Sequence, residues 1–276
     1  MPEGDTIHRA ARTLHLALAG REVVRFETAF AQLAVVDDQA PLRGRVVERV
    51  AAVGKHLLMF FSGDLILRTH MRMHGSWHIY RPGERWRRPR RDMRVVVATG
   101  AYEAVAFNVP VAEFRTAATL QRDDVIQALG PDLLDPHVDL DEALRRVRAL
   151  GDMPLGEALL TQRAVAGIGN VFKSEVCFEA RLSPFSPVSS LDDTSLRAVL
   201  EIARRQMRLN VPADADGAFP QPPGRRTTGR MNPAEGLWVY GRAGEPCRRC
   251  GTPVSVRKTG VDARLTYYCE RCQPIS

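Results

Sequence analysis

Four cysteines constrain this chain more tightly than any other feature. Cys247 and Cys250 form one Cys-x2-Cys pair, eighteen residues follow, and Cys269 and Cys272 form a second. Two such pairs offer four thiolates, the donor set of a closed tetrahedral zinc site that holds a fold together. The competing reading is a pair of disulfides in a secreted protein. The acidic, polar start does not read as a targeting peptide and the fifth cysteine, Cys177, is isolated, so one structural zinc ion is expected. Between the pairs, residues 254–256 and 265–268 read as the strands of a hairpin turning at 258–260. The hairpin carries Arg257, Lys258 and Arg264, and residues 240–276 hold seven Lys/Arg against three Asp/Glu. A basic finger on a rigid base suits phosphate groups.

A chain of 276 residues accommodates two domains and a small third. No apolar run approaches the length of a membrane span, so a cytoplasmic protein with no membrane partner is expected, associated with the nucleoid through DNA. The net charge of +7 favours a polyanionic partner. The basic excess is nearly all arginine; the only lysines are Lys55, Lys173 and Lys258. A GC-rich genome accounts for that bias better than any functional avoidance of lysine.

Ile7, Ala10, Ala11, Leu14 and Leu18 recur at helical spacing, which predicts a helix over 6–18 capped by Asp5 or Thr6 and closed by Gly20. From 21 to about 114 short β-branched and apolar runs replace that period: 23–26, 45–50, 56–61, 65–68, 76–80, 93–98 and 104–107. Strands without intervening helices predict an antiparallel sandwich or barrel. Residues 81–94 interrupt them with seven arginines against two acids, which reads equally as a solvated loop or a DNA contact. Helices are expected over 121–129, 139–149, 155–160, 171–180 and 192–207. Residues 210–234, rich in Pro, Gly and Asp, read as a mobile loop. The fold class is α+β: an N-terminal antiparallel β-sandwich at 1–119, a helical helix–two-turn–helix domain at 120–238 and a zinc ribbon at 239–276.

Two stretches carry chemistry. Gly167 and Gly169 make a tight turn between helices, where Asn170 can cap the second helix and backbone N–H groups form a phosphate site that Lys173 can supplement. An ordinary helix hairpin explains the same residues equally well. At the chain start, removal of Met1 leaves Pro2 as a secondary amine. An α-amino group titrates near 7.7–8, so part of it is neutral at physiological pH and able to attack an aldehyde-like carbon. Glu3 beside it can move protons. On spacing alone this pairing is weak, since many chains begin Met-Pro.

Six landmarks then combine in order: Pro2, Glu3 and Gly4; Gly54, Lys55, His56, Leu57 and Leu58; the run from His70 to Trp77; Leu129, Gly130, Pro131 and Asp132; Gly167, Ile168, Gly169 and Asn170 with Ser174 and Glu175; and Val239, Tyr240, Gly241 and Arg242 leading to the cysteines, with Arg264 five residues before Cys269. With these the sequence resembles the formamidopyrimidine-DNA glycosylase/endonuclease VIII family over nearly its whole length. The Pro-Glu-Gly opening is closer to the endonuclease VIII branch, and its continuation through Asp5 and Thr6 looks like that branch's actinobacterial form. The resemblance implies a bifunctional base-excision repair enzyme that flips a damaged base out of duplex DNA. It implies Pro2 as nucleophile at the sugar C1′, Glu3 as acid/base partner and Lys55 as a second acid or phosphate-side electrophile. Asn170 and Arg264 would clamp phosphates, with Lys173 and Arg257 as further DNA contacts, and Met73, flanked by Arg72 and His74, would fill the void left by the extruded base. β-elimination and δ-elimination would follow base loss.

Three departures qualify the match. Thr6 stands where the family often has an acid, and the spacer between cysteine pairs is two residues longer than expected. Phe107, Asn108, Val109 and Pro110 offer none of the arginine that the formamidopyrimidine branch uses there, which favours oxidised pyrimidines over 8-oxoguanine. A non-catalytic DNA- or RNA-binding protein is the competing reading, but it has no need of Pro2, Glu3 and Lys55 together. An abasic-site lyase with little base excision is a third. A monomer is expected, because the fold needs no partner to complete its core.

Overall fold

The computed structural model describes residues 2–211, 224–230 and 232–274. The chain divides into two compact units, residues 1–127 and 128–276.

The first unit is a two-sheet sandwich with a helix along one side. Helix α1 spans Gly4–Leu18, two residues earlier than its apolar spacing predicts, because Glu3 and not Asp5 or Thr6 occupies the cap position. Its carbonyl accepts from Thr6 N at 2.9 Å and Ile7 N at 3.1 Å. The strands are β1 (Val23–Thr28), β2 (Val47–Val53), β3 (His56–Phe61), β4 (Leu65–His70), β5 (Ser76–Tyr80), β6 (Met93–Thr99), β7 (Glu103–Phe107) and β8 (Val111–Arg115). They form two antiparallel four-stranded sheets, ordered β1-β6-β7-β5 and β2-β3-β4-β8.

Side chains alternate across the first sheet, as a period of two requires. Trp77, Ile79, Val95, Val97, Ala104 and Ala106 face the main core with Ile7, Leu14, Leu57 and Leu67. Tyr80, Val96, Ala98, Val105 and Phe107 make a second cluster on the opposite face, covered by Trp86 and Met93.

Two elements escaped the sequence reading. Helix α2 (Ala31–Gln39) lies inside the region read as strands only. Its apolar residues are consecutive instead of spaced by three and four, only Leu33 is buried, and Phe30 at its cap position is no cap former, so none of the usual signals exists. Strand β8 follows directly on Pro110, whose missing N–H is tolerated at a strand start.

The second unit is helical with a β-hairpin. The expected helix over 121–129 is instead two short pieces of the first unit, α3 (Ala117–Gln121) and α4 (Asp124–Gln127). Helices α5 (Leu140–Arg148), α6 (Leu155–Ala158), α7 (Asn170–Glu179) and α8 (Asp193–Arg208) follow. Asp139 and Asp192 cap α5 and α8 through side-chain oxygens that accept from Glu142 N and Ser195 N. Strands β9 (Ser255–Thr259) and β10 (Arg264–Tyr268) form the hairpin. Its turn lies at 260–263, later than read from sequence: Lys258 pairs with Leu265 in the ladder, and Gly260 and Ala263 supply the positive φ angles. The expected mobile loop over 210–234 falls mainly outside the described residues.

Glu175 ties the unit together. Its fully buried carboxylate accepts from Trp238 N, Val239 N and Tyr240 N at 2.7–2.8 Å and from the Thr227 hydroxyl. Burial pushes the carboxyl above its ordinary range while these donors pull it down. Cys177, two residues further along α7, is buried and its thiol is pushed up to about 12 by desolvation, so it is an inert core residue.

Candidate functional sites

In the first unit, helix α1 runs antiparallel to β2. Gly20 N donates to Val47 O at 2.8 Å, and His15 Nδ1 accepts from Val50 N at 3.2 Å. From His15 back to Gly4 the helix rises about 16 Å at 1.5 Å per residue. From Val50 forward to Lys55 the strand covers about the same distance at 3.3 Å per residue. The helix start, with half-buried Pro2 and fully buried Glu3, therefore arrives at the end of the sheet that carries Gly54 and Lys55. Lys55 sits in the two-residue turn between β2 and β3, and Gly54 adopts φ 58° to make that turn.

The strand register gathers more residues at the same end. His56 pairs with His70, His70 with Val111, and Ser76 with Phe107. The turns at 71–75 and 108–110 therefore lie side by side. In the first, Arg72 takes φ 49° and Gly75 N donates to Met71 O at 2.9 Å. A Cβ at Gly75 would lie 2.5 Å from Met71 O, so this position requires glycine. The tight turn leaves Met73 56% exposed with Arg72 and His74 exposed beside it, while Met71 is buried. An exposed methionine on a rigid turn is not the strand-core residue that local sequence alone suggests.

Two histidines that the sequence reading named only as landmarks, without a role, pair at the same end of the sheet. His56 and His70 meet edge to face at 4.7 Å between centroids. Burial, then His70 and Arg68, push His56 down to about 3; burial, then Arg72 and Lys55, push His70 down to about 4. Arg68, itself buried, pairs with Glu113 at 2.6 Å and Asp123 at 3.7 Å. Both histidines are thus neutral in the folded state near pH 7. Their folded pKa values lie below the unfolded value, so their stabilising contribution is complete above about 6.5 and is lost as pH falls towards 4. Between pH 6.5 and 5, His56 alone should cost roughly 1–2 kcal/mol of stability. Thermal unfolding at both pH values should show a smaller acid-induced drop for His56→Gln than for the wild type.

In the second unit, α7 grips the finger. Asn170 Nδ2 donates to Leu265 O at 2.8 Å, Lys173 Nζ to Thr266 Oγ1 at 2.6 Å, and Tyr267 N to Ser174 Oγ at 3.3 Å. Asn170 is therefore not the helix cap; Gly169 occupies that position, and Asn170 Oδ1 is buried without a hydrogen-bond partner. Lys173, expected to add surface charge, is fully buried with its ammonium turned towards the finger. At the finger, Arg264 is 42% exposed and donates to Asp262 Oδ2 at 2.8 and 3.2 Å. Arg257 stacks on Phe185 with 5.3 Å to the ring centroid. Together with Pro154, Glu157, Pro184 and Lys258, these two line a groove of about 400 Å³.

The four cysteine sulfurs lie within 4.8 Å of one another. Cys247 and Cys272 are 3.9 Å apart and Cys250 and Cys269 3.5 Å apart. A tetrahedron with metal–sulfur bonds of 2.3 Å has edges of about 3.8 Å, so the donor set fits one zinc-sized ion. Cys247 and Cys269 are buried, and Gln273 Oε1 accepts from Cys269 N at 2.9 Å. Among the described residues no helix is long and apolar enough to cross a membrane.

Three family models match in succession: formamidopyrimidine-DNA glycosylase N-terminal domain over residues 1–110, its H2TH domain over 129–219, and the zinc finger found in FPG and IleRS over 244–275. The chain is 42% identical to the probable endonuclease 8 2 of Streptomyces coelicolor, covering 99% of this chain and 94% of that protein. It is 38% identical to the DNA-(apurinic or apyrimidinic site) lyase Nei2 of Mycolicibacterium smegmatis over the full length of both. Among solved structures, Lactococcus lactis formamidopyrimidine-DNA glycosylase bound to DNA containing an abasic site superposes with a TM-score of 0.78 at 21% identity, covering 99% of this chain and all of that one. That likeness establishes the shared fold.

Proposed function

Since the chain belongs to the formamidopyrimidine-DNA glycosylase/endonuclease VIII family, we propose that it excises oxidised bases, pyrimidines foremost, and cuts the resulting abasic strand through an iminium on Pro2. At the coarser level it is a DNA glycosylase and DNA-(apurinic or apyrimidinic site) lyase of DNA repair. The observation that most supports the finer reading is the arrival of the α1 N-terminus, with Pro2 and Glu3, at the turn holding Lys55.

The proposed steps use this chain's own groups. Once Met1 is removed, the Pro2 nitrogen forms a bond to C1′ while the glycosidic bond breaks and the base leaves with a proton. An α-amino group ordinarily titrates near 7.7–8, so part of it is neutral at physiological pH and can act as the nucleophile. Glu3 exchanges the protons needed to open the sugar ring and reach the iminium. Loss of a C2′ proton then expels the 3′ phosphate, and a second elimination expels the 5′ phosphate. Lys55 offers a cation to the leaving phosphate or a proton to the sugar oxygen.

Recognition is assigned to the exposed groups. Met73, with Arg72 and His74, enters the stack where the damaged base has left. Arg264 and Arg257 bind backbone phosphates; Arg264 exchanges its Asp262 partner for a phosphate, which accepts the same forked donors. Asn170 supports Arg264 by holding β10 at Leu265, and Lys173 acts from the interior and not as a phosphate ligand. Four thiolates bind one zinc ion, which braces the finger and takes no part in the chemistry.

The test is a panel of duplexes carrying thymine glycol, 8-oxoguanine paired with cytosine, or an abasic site. Strand cleavage should be fast at the abasic site and at thymine glycol, and at least about tenfold slower at 8-oxoguanine, because residues 107–110 lack an arginine. Cleavage of the abasic duplex alone would reduce the activity to a lyase.

A further inference from the structure

We propose that residues 81–91 form an ordered cationic ledge that binds phosphates of the duplex flanking the lesion, independently of base damage. This rests on DNA being the substrate, and adds to the groups assigned above a surface that holds undamaged duplex.

The loop has the composition of a disordered, solvated segment but does not behave as one. It leaves β5 at Tyr80, which pairs with Glu103, and enters β6 at Met93, which pairs with Phe107. It therefore runs back along the outer face of the sheet for about 13 Å, the length of four strand steps. Four anchors fix its course. The buried Tyr80 hydroxyl accepts from Arg87 N at 3.1 Å. The Trp86 indole donates to Glu103 and packs edge-on against Phe107, 5.7 Å between centroids. Arg90 lies over Trp86 and pairs with Glu27 at 2.9 Å. At the far end Asn108 N donates to Asp92 O at 2.8 Å, which fastens the loop to the 108–110 turn beside the Met73 turn.

The anchors use backbone, aromatic and carboxylate groups and leave guanidinium groups over. Arg85, Arg87 and Arg91 are exposed and Arg88 half-buried, and among the described residues none of their guanidinium groups has an ion-pair or hydrogen-bond partner. Arg25, Arg68, Arg115, Arg145, Arg148 and Arg205, by comparison, have carboxylate partners; what sets the loop apart is that its unpaired guanidinium groups are grouped on one anchored backbone. Arg87 and Arg88 are close enough together to help push His78 below its usual range, after the larger effect of burial. Holding like charges together on a prearranged backbone is unfavourable for an isolated protein and favourable against a polyanion. Duplex DNA presents one charge per 1.7 Å of axis, so about 13 Å of ledge faces several phosphates.

The experiment is a salt titration of affinity for undamaged duplex DNA. Arg85→Gln/Arg87→Gln/Arg88→Gln is compared with the wild type and with Arg43→Gln/Arg122→Gln/Arg208→Gln, which removes the same charge from exposed sites elsewhere. The ledge variant should lower the slope of log affinity against log salt by up to about 2.7, three contacts at 0.9 each. The control variant should stay near the wild-type slope. Cleavage of saturating abasic duplex at low salt should proceed at the wild-type rate in both, and their unfolding midpoints should match. An unchanged slope in the ledge variant, or an equal fall in the control, would overturn the proposal. If the wild type cleaved no DNA at all, the glycosylase reading would fail while the slopes still decided the ledge.

Discussion

Replacing Pro2 by glycine should lower cleavage of a preformed abasic duplex by about two orders of magnitude or more, with affinity for the duplex within a few-fold of wild type. The variant keeps an α-amino group at the chain start but loses the ring that fixes its direction and makes it a secondary amine, so the iminium forms less readily. Binding is spared because the wedge turn, the ledge and the finger are untouched. Rate and affinity therefore separate, which a loss of folding could not produce. The neighbouring test is Glu3→Gln. Its carbonyl still accepts from Thr6 and Ile7, so α1 keeps its start, and a rate loss of about 10²–10⁴-fold isolates the proton transfer. Wild-type cleavage by the glycine variant would remove Pro2 from the mechanism.

Stripping the metal should have the second largest effect. Structural zinc contributes on the order of 10–16 kcal/mol of apparent binding energy in small ribbons, far more than a two-stranded hairpin can supply for itself. Without it the ladder between β9 and β10 loses its base, and with it the bonds from Asn170, Lys173 and Ser174. Arg264 and Arg257 then lose their fixed positions. Charge-assisted phosphate contacts are worth about 1.5–3 kcal/mol each, so DNA affinity should fall by about 10²–10⁴-fold. Metal analysis should give one zinc per chain before chelation, and Cys269→Ser should reproduce the loss. Unchanged DNA affinity in metal-free protein would mean that the finger does not hold DNA.

The legible parts of the molecule were those written in local periodicity or fixed spacing. The apolar face of α1, the short apolar runs of β5 and β7 and the two cysteine pairs each leave a direct mark, and these elements lie close to where that mark puts them. Helix α2 left none because its stability comes from where Leu33 is buried, not from a repeating face. Asn170 and Lys173 were assigned outward roles because sequence gives composition but not direction. Only the packing of α7 on β10 turns Lys173 inward, where its Nζ donates a hydrogen bond to Thr266 Oγ1. His56 and His70 stood in two separate sequence landmarks, but their pairing was not legible because they are fourteen residues apart and become neighbours only through the β3–β4 register. The convergence of Pro2, Glu3, Lys55 and the Met73 turn belongs to the same class, since it depends on which way α1 runs along β2.

The central claim is covalent chemistry at Pro2, and borohydride trapping followed by peptide mapping tests it most directly. Reaction with a thymine glycol duplex in the presence of borohydride should give a stable protein–DNA adduct, with the mass of the reduced sugar carried on the N-terminal peptide at Pro2 after loss of Met1. Attachment at Lys55, Lys173 or Lys258, or no adduct from protein with a free Pro2 amine, would contradict the account.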